Sequence, residues 1–282
     1  MFRAVKRAFL RAIPSKAAGR LRAWRVQRLI DTYDAHVVEH CYGGHRLAVR
    51  LADPLAEGWY DRDWPELPEI ALLRGAAIRA GATVFDLGAH QGVVALMLAR
   101  EVGPGGQVIA VEPNRHNFDV ACSNRVANDA SQLELLHAAV ADRNGTLTFN
   151  RGLNGQIDDG TGAGGQAQVD AVTIDTLALR YGTPDLVFLD VEGAECMALG
   201  GAARVLESSA TFVVEVHVGC GLELLGGSVK ELLSRFPIDR YTLVIRAEND
   251  AEFRSLRADE PLLTQRCFLV ARPHARPQAE SL

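Results

Sequence analysis

From Val84 onward, short apolar runs alternate with stretches in which apolar residues recur every three or four positions. The first spacing suits buried strands, and the second suits helices with one apolar face. Strands are predicted over 84–86, 108–112, 133–139, 186–190 and 212–217. Between them, Val93, Val94, Met97 and Leu98 mark one helix, and Phe118, Ala121 and Cys122 mark another. Ser228 and Glu231 have the spacing of a capping box that opens a further helix. Strands alternating with helices make a parallel sheet covered on both faces. Two final strands, over 241–246 and 267–271, are expected to pair antiparallel at the sheet edge.

The chain before Val84 is patterned differently. Apolar and polar residues roughly alternate on both sides of Gly43 and Gly44, which predicts a hairpin over 36–51. An aromatic and acidic cluster follows, with Trp59, Tyr60, Asp61 and Trp64, and then a predicted helix over 68–80 that stops at Gly81. Extended segments over 146–150 and 169–173 bracket a glycine-rich stretch, 152–165, read as a mobile loop because it has little to bury. At the start, Phe2, Val5, Phe9 and Ile13 share one face of a predicted helix, with Arg3, Arg7 and Arg11 opposite. A packed or solvated leading helix accounts for this face, and so does peripheral contact of residues 1–13 with an anionic membrane. The patterns divide the chain into a basic helical extension (1–34), a hairpin and strap (35–80), a ligand-binding core (81–272) and a flexible tail (273–282).

A length of 282 residues suits one sizeable core rather than two equal domains. The net charge of -5 hides an asymmetry, because nine of the 30 Lys and Arg and no Asp or Glu fall in the first thirty residues. The remainder therefore holds 21 basic against 35 acidic residues, or -14. Such a body is a poor surface for a phosphate backbone, so no nucleic-acid partner is expected. The five cysteines (Cys41, Cys122, Cys196, Cys220, Cys267) lack CxxC spacing, which argues against a zinc site or disulfide framework and fits a cytoplasmic setting. Asp86, His90 and Gln91 interrupt the most apolar stretch, so no membrane span is predicted.

The strongest chemical signal lies between Val84 and Gly92. An apolar strand enters the turn Asp86, Leu87, Gly88, Ala89, His90, Gln91, Gly92, and a helix follows. Gly88 permits a tight turn, and Gly92 is expected to let the helix start press close to a ligand. A dinucleotide site would read G-x-G-x-x-G, whereas this turn reads D-x-G-x-x-x-G. Asp86 stands where the strand ends and can accept from a cationic amine. Glu112 ends the next strand, ahead of Pro113, and a carboxylate there can hold both hydroxyls of a ribose. An amine and a ribose without a pyrophosphate describe S-adenosylmethionine. Ala89, His90, Pro113 and Ala139 complete the expected cofactor wall.

Over about 59–217 the chain resembles the FkbM-type methyltransferases. The resemblance is carried by the turn from Asp86 to Ala89, by Val111 to Asn114, and by the paired Asn124 and Asn128. It continues in Val172 to Asp175, in the block Asp190, Val191, Glu192, Gly193, Ala194, Glu195, and in Glu215 to His217. It implies a class I methyltransferase fold: Rossmann-like and doubly wound, with a mostly parallel seven-stranded sheet and an antiparallel last strand. It also implies O-methylation, with a hydroxyl of a sugar, glycolipid or secondary metabolite as acceptor. The family usually carries Asn where His90 stands, and a histidine charge there is expected to make cofactor affinity pH-sensitive near neutrality.

Methyl transfer to a hydroxyl needs in-line placement and usually a base near the attacking oxygen. Asp190 with Glu192, and Glu215 with His217, end the fourth and fifth main strands at two-residue spacing, so the side chains of a pair share a face. His217 or Asp190 is the expected base, with Glu215 orienting or charging the neighbourhood. Glu192 and Glu195 shape the loop, the latter as a helix N-terminal charge. A histidine hydrogen-bonded purely for structure is the plainer reading of His217. No metal is assigned, and a divalent ion on Asp190, Glu215 and His217 is the alternative. Trp59, Tyr60 and Trp64 offer stacking faces for a substrate, or pack as an ordinary strap. Three rivals stand beside this reading. A nicotinamide-dependent oxidoreductase is disfavoured by the turn spacing. A nucleic-acid methyltransferase would usually carry an Asn-Pro-Pro-Tyr-like motif where this chain has Asp190 to Gly193. A non-catalytic module would keep the cofactor pocket alone.

Overall fold

The computed structural model describes residues 24–151, 156–157, 165–257 and 264–274. The expected amphipathic leading helix, most of the glycine-rich stretch and most of the tail lie outside the described residues. In chain order the strands are β1 (His36–Tyr42), β2 (His45–Leu51), β3 (Thr83–Leu87), β4 (Gln107–Val111) and β5 (Leu133–Leu136). Next come β6 (Ala139–Val140), β7 (Gly145–Arg151), β8 (Gln156–Ile157), β9 (Gly165–Val172) and β10 (Leu186–Leu189). The last are β11 (Thr211–Val216), β12 (Tyr241–Ala247), β13 (Arg254–Ser255) and β14 (Cys267–Pro273).

The main sheet runs in the order β13-β12-β14-β11-β10-β3-β4-β5. Strands β11, β10, β3, β4 and β5 are parallel, and their apolar runs are buried because helices cover both faces. Strand β14 inserts antiparallel between β11 and β12, which is the expected reversed last strand, and the two-residue β13 extends the edge beyond it. The chain lays β4 and β5 on one side of β3 and later β10 and β11 on the other. The strand order therefore reverses between β3 and β10, where open α/β sheets leave a crevice beyond the strands' carboxyl ends.

The hairpin β1–β2 turns at Gly43 and Gly44, whose φ values of 58° and 90° are those a two-residue hairpin turn demands. Its side chains Tyr42, Leu47, Val49 and Leu51 share one buried cluster with Leu96, Met97 and Val213. Asn124 of the helix Arg115–Ala127 and Asn128, which caps that helix one turn later, hold the edge of β2. Arg50 N–H donates to Asn124 at 2.7 Å, and Asn128 exchanges bonds of 3.0 and 2.7 Å with the Ala48 backbone. Asp53 caps the helix Pro54–Tyr60 and also accepts from Gln91 at 2.7 Å, tying the strap to the turn after β3. Buried Glu69 pairs with Arg246 of β12, joining the strap to the opposite sheet edge.

Two elements differ from expectation. The helix expected over 68–80 stops at Leu73, because Arg74 is extended and Gly75 turns with φ 78°. The backbone N–H groups of Ala76 and Ile78 both bond the Leu73 carbonyl, at 3.0 and 3.1 Å, and so close the chain into turns. The strand expected over 133–139 divides at His137. Ala138 N–H bonds back to the Leu136 carbonyl at 3.1 Å, and this tight turn carries the chain out of the main sheet. Strand β6 then joins a separate sheet in the order β6-β9-β7-β8, built from the extended segments that flank the glycine-rich stretch. No helix among the described residues is long and apolar enough to cross a membrane.

Candidate active site

A cavity of about 330 Å³ opens at the reversal point between β3 and β10. Asp86, Gly88, Ala89 and His90 line it from the turn after β3, and Glu112 and Pro113 from the end of β4. Ala139 lines it from β6, Asp190 and Glu192 from the loop after β10, and Trp59, Tyr60 and Trp64 from the strap. Gly88 is required here by contact as well as by its φ of 97°. A Cβ at this position would fall 1.7 Å from the Asp190 carbonyl oxygen, so the two strand ends meet only over glycine.

Gly92 serves another purpose than the expected one. It does not line the cavity. It is the left-handed N-cap of the helix Val93–Val102, and its Cβ would lie 3.1 Å from the Ala121 Cβ, so its smallness allows two helices to pack.

Two buried carboxylates dominate one end of the cavity. Asp86 is 3% exposed, its Oδ2 has no hydrogen-bond partner, and burial pushes its pKa up to about 7. Glu112 accepts from His90 N–H at 2.8 Å and from Asn114 N–H at 2.7 Å. Burial still drives its pKa to about 8 against those bonds, with the Asp86 charge adding to the rise. Each carboxylate oxygen offers two acceptor sites, so Glu112 keeps capacity for a pair of hydroxyls. A cationic amine would satisfy Asp86 Oδ2 and draw that group into its charged form. The residues present thus fit the methionine ammonium and the ribose of S-adenosylmethionine.

His90 stands at φ 49°, a region that asparagine and histidine enter more readily than most residues. That shared tolerance explains how histidine occupies a position where asparagine is usual. Its Nδ1 meets the Tyr60 hydroxyl at 2.9 Å, and its ring packs 5.2 Å from Trp59 and 5.9 Å from Tyr60. The aromatic cluster therefore packs as a strap and borders the cavity at once.

Beyond the end of β10, four carboxylates surround one imidazole. His217 is 1% exposed, and its Nδ1 meets Glu195 Oε1 at 2.6 Å. Its Nε2 faces Glu192 Oε2 at 3.4 Å, Asp190 Oδ1 at 3.6 Å and Glu215 Oε1 at 3.9 Å. Burial lowers the His217 pKa, but the Glu195 hydrogen bond and the surrounding charges outweigh it and hold the pKa above its ordinary value. Burial and the charges of Glu215 and Glu192 raise Asp190 well above the carboxylate range. Glu195, the first residue of its helix, also accepts from Gly193 N–H at 2.9 Å. Its carboxylate thus orients the histidine, beyond any effect on the helix end.

Of this cluster, only Asp190 and Glu192 line the cavity. The Asp190 side chain is 35% exposed, whereas His217 and Glu215 are closed off behind it. Glu215 pairs with Arg266, whose guanidinium lines the cavity. Arg266, Arg62 and Phe149 are cavity residues that the sequence reading missed. Arg266 arrives from just before the reversed strand and Phe149 from β7, so no local motif marks them.

Residues 86–224 match the family model described as the methyltransferase FkbM domain. A crystal structure of methyltransferase FkbM from Methylobacillus flagellatus is similar at 19% identity and a TM-score of 0.42. That match covers 67% of this chain and 43% of the other. An S-adenosylmethionine-dependent O-methyltransferase from Thermotoga maritima is similar at 14% identity and a TM-score of 0.42, covering 89% and 82% of the two chains. An arsenite methyltransferase of Halobacterium salinarum is 39% identical over 72 residues, 24% of this chain and 18% of its own length. The chain therefore spans less than half the length of the first and the last of these relatives.

Proposed function

We propose that this chain, which matches the methyltransferase FkbM domain over residues 86–224, uses S-adenosylmethionine to methylate a hydroxyl of a sugar, glycolipid or secondary metabolite. The observation that carries this reading is the layout of one cavity. Asp86, Glu112 and the partly exposed Asp190 line it together, from the ends of the neighbouring strands β3, β4 and β10.

In this mechanism Asp86 would hold the donor's ammonium and Glu112 its ribose hydroxyls. The bound donor supplies an electrophilic methyl group on a sulfonium. Asp190 receives the proton of the acceptor hydroxyl at its carboxylate, since it is the member of the cluster within reach of an occupant. His217, fixed by Glu195, is a positioning residue behind Asp190, and it acts through that carboxylate. Arg266 offsets the charge of Glu215, which keeps a further carboxylate from crowding the reacting centre. Trp59 and Trp64 border the cavity with flat apolar faces on which a sugar ring can stack, while Tyr60 is held to His90 and Trp64 Nε1 to the Trp59 carbonyl.

The test is transfer of radiolabelled methyl from S-adenosylmethionine to a panel of hydroxylated sugars and glycolipids, with wild type and Asp190→Asn. The expected result is label on a hydroxyl oxygen, reduced at least a hundredfold by the substitution, in the range usual for loss of a general base. Label on nitrogen or carbon, or an Asp190→Asn variant of wild-type rate, would overturn the proposal.

A further inference from the structure

Acid–base chemistry at Asp190 leaves one arrangement unexplained: the convergence of carboxylates on the buried edge of His217. The Nδ1 contact with Glu195 makes that nitrogen a donor, so in the neutral, metal-ligating form of the ring the lone pair lies on Nε2. Nε2 is buried, has no hydrogen-bond partner, and is aimed at the oxygens of Glu192 and Asp190. Three electron-rich atoms thus face one another, and Asp190 Oδ1, Glu192 Oε2 and His217 Nε2 lie within 4.8 Å of each other. Such a cluster is stabilised by a positive charge among its atoms, whether a proton on the imidazole or a metal ion that displaces it.

The separations have the scale of a coordination sphere. Ligands about 2.1 Å from a tetrahedral ion stand roughly 3.4 Å apart. Here Nε2 lies 3.4 Å from one oxygen and 3.6 Å from the other, too long for hydrogen bonds between strong partners. The loop is also held in a costly conformation that aims the ligands. Glu192 sits at φ 50°, and Gly193 at φ 103° packs so tightly that a Cβ would fall 2.4 Å from the Gly221 backbone.

We propose that Asp190, Glu192 and His217 bind a divalent first-row metal ion, with Glu195 as the outer partner that fixes the imidazole. Two carboxylates and one imidazole suit Mn²⁺, Fe²⁺ or Zn²⁺, whereas a histidine ligand is atypical for Mg²⁺. Glu215, paired with Arg266, stays outside the ligand set. This set replaces the alternative of Asp190, Glu215 and His217 that sequence spacing offered. Because Asp190 and Glu192 border the cavity, the remaining coordination position opens toward it. A hydroxyl bound there would lose its proton more readily. That catalytic role rests on the proposed function, whereas the binding of the ion does not.

The experiment is titration of the full chain with Mn²⁺, followed by loss of the paramagnetic resonance signal of the free aqueous ion. Mn²⁺ is the probe because softer ions would also bind the exposed thiols of Cys41 and Cys220. One ion per chain is expected, with affinity reduced at least tenfold in Glu192→Gln and in His217→Asn. Circular dichroism checks the fold of each variant. Glu192 is partly exposed, so Glu192→Gln carries the test should the buried histidine variant fail to fold. Absence of binding at millimolar Mn²⁺, or equal affinity in wild type and Glu192→Gln, would overturn the site. Mn²⁺ bound as described without methyl transfer to any hydroxyl would sink the functional reading and leave the site standing.

Discussion

Replacing Asp86 by Asn removes an ionisable group while keeping its shape. In the folded protein burial raises the Asp86 pKa to about 7, against 3.8 in an open chain. Between those values the folded state keeps a proton that the unfolded state has released, so stability falls as pH rises through this window. At about 1.36 kcal/mol per pH unit, the full penalty is roughly 4 kcal/mol above pH 7. The neutral amide of the Asp86→Asn variant escapes it. Of that penalty, the 1.5 units between pH 5.5 and the folded pKa come to roughly 2 kcal/mol. The stability gap between Asp86→Asn and wild type should therefore widen by that amount, in favour of the variant, from pH 5.5 to pH 8. Glu112 works in the same direction, since loss of the Asp86 charge eases its own ionisation. Urea unfolding followed by circular dichroism at the two pH values measures the gap, and other titrating groups cancel in the comparison. The same variant should bind S-adenosylmethionine roughly 10- to 100-fold more weakly, because a charged hydrogen bond is lost. A gap that stays constant or narrows with pH would refute the reasoning.

Three further outcomes follow from the same geometry. Wild-type affinity for S-adenosylmethionine should fall about tenfold per pH unit below pH 7, because Asp86 must lose its proton to meet the ammonium. Calorimetry at pH 6 in two buffers of different ionisation enthalpy should then show proton release, and its absence would count against that pairing. Gly88→Ala should cost at least about 3 kcal/mol, since its Cβ meets backbone at 1.7 Å and its φ of 97° disfavours any side chain; an unchanged melting temperature would contradict the packing described. Glu69→Ala should cost about 3–5 kcal/mol in urea unfolding, because it strands the buried Arg246 charge. A loss below about 1 kcal/mol would show that the carbonyls of Ala247, Glu248 and Asp250, which Arg246 also bonds, suffice for its charge.

Much of the fold was legible because buried parallel strands must be apolar along most of their length, as 108–111 and 186–189 are throughout. The hairpin announced itself through Gly43 and Gly44, and the cofactor turn through Asp86, Gly88 and Glu112. Spacing misled where contacts decide. Gly92 looked like a ligand-facing glycine but answers to Ala121 on another helix. Residues 133–139 are apolar enough for one strand, yet a backbone turn at Leu136 divides them between two sheets. Nothing local places Arg266 beside Glu215, 51 positions earlier, because that pairing exists only once β14 lies against β11. Glu195 read as a helix charge, and its hold on His217 became visible only in three dimensions.

Calorimetric titration of the full chain with S-adenosylmethionine and, separately, with NADH tests the central claim most directly, using wild type and Glu112→Ala. Binding of S-adenosylmethionine alone, weakened at least tenfold by loss of the Glu112 carboxylate, is the expected result. Binding of NADH alone, or an affinity for S-adenosylmethionine that Glu112→Ala leaves unchanged, would contradict the assignment of this cavity to the methyl donor.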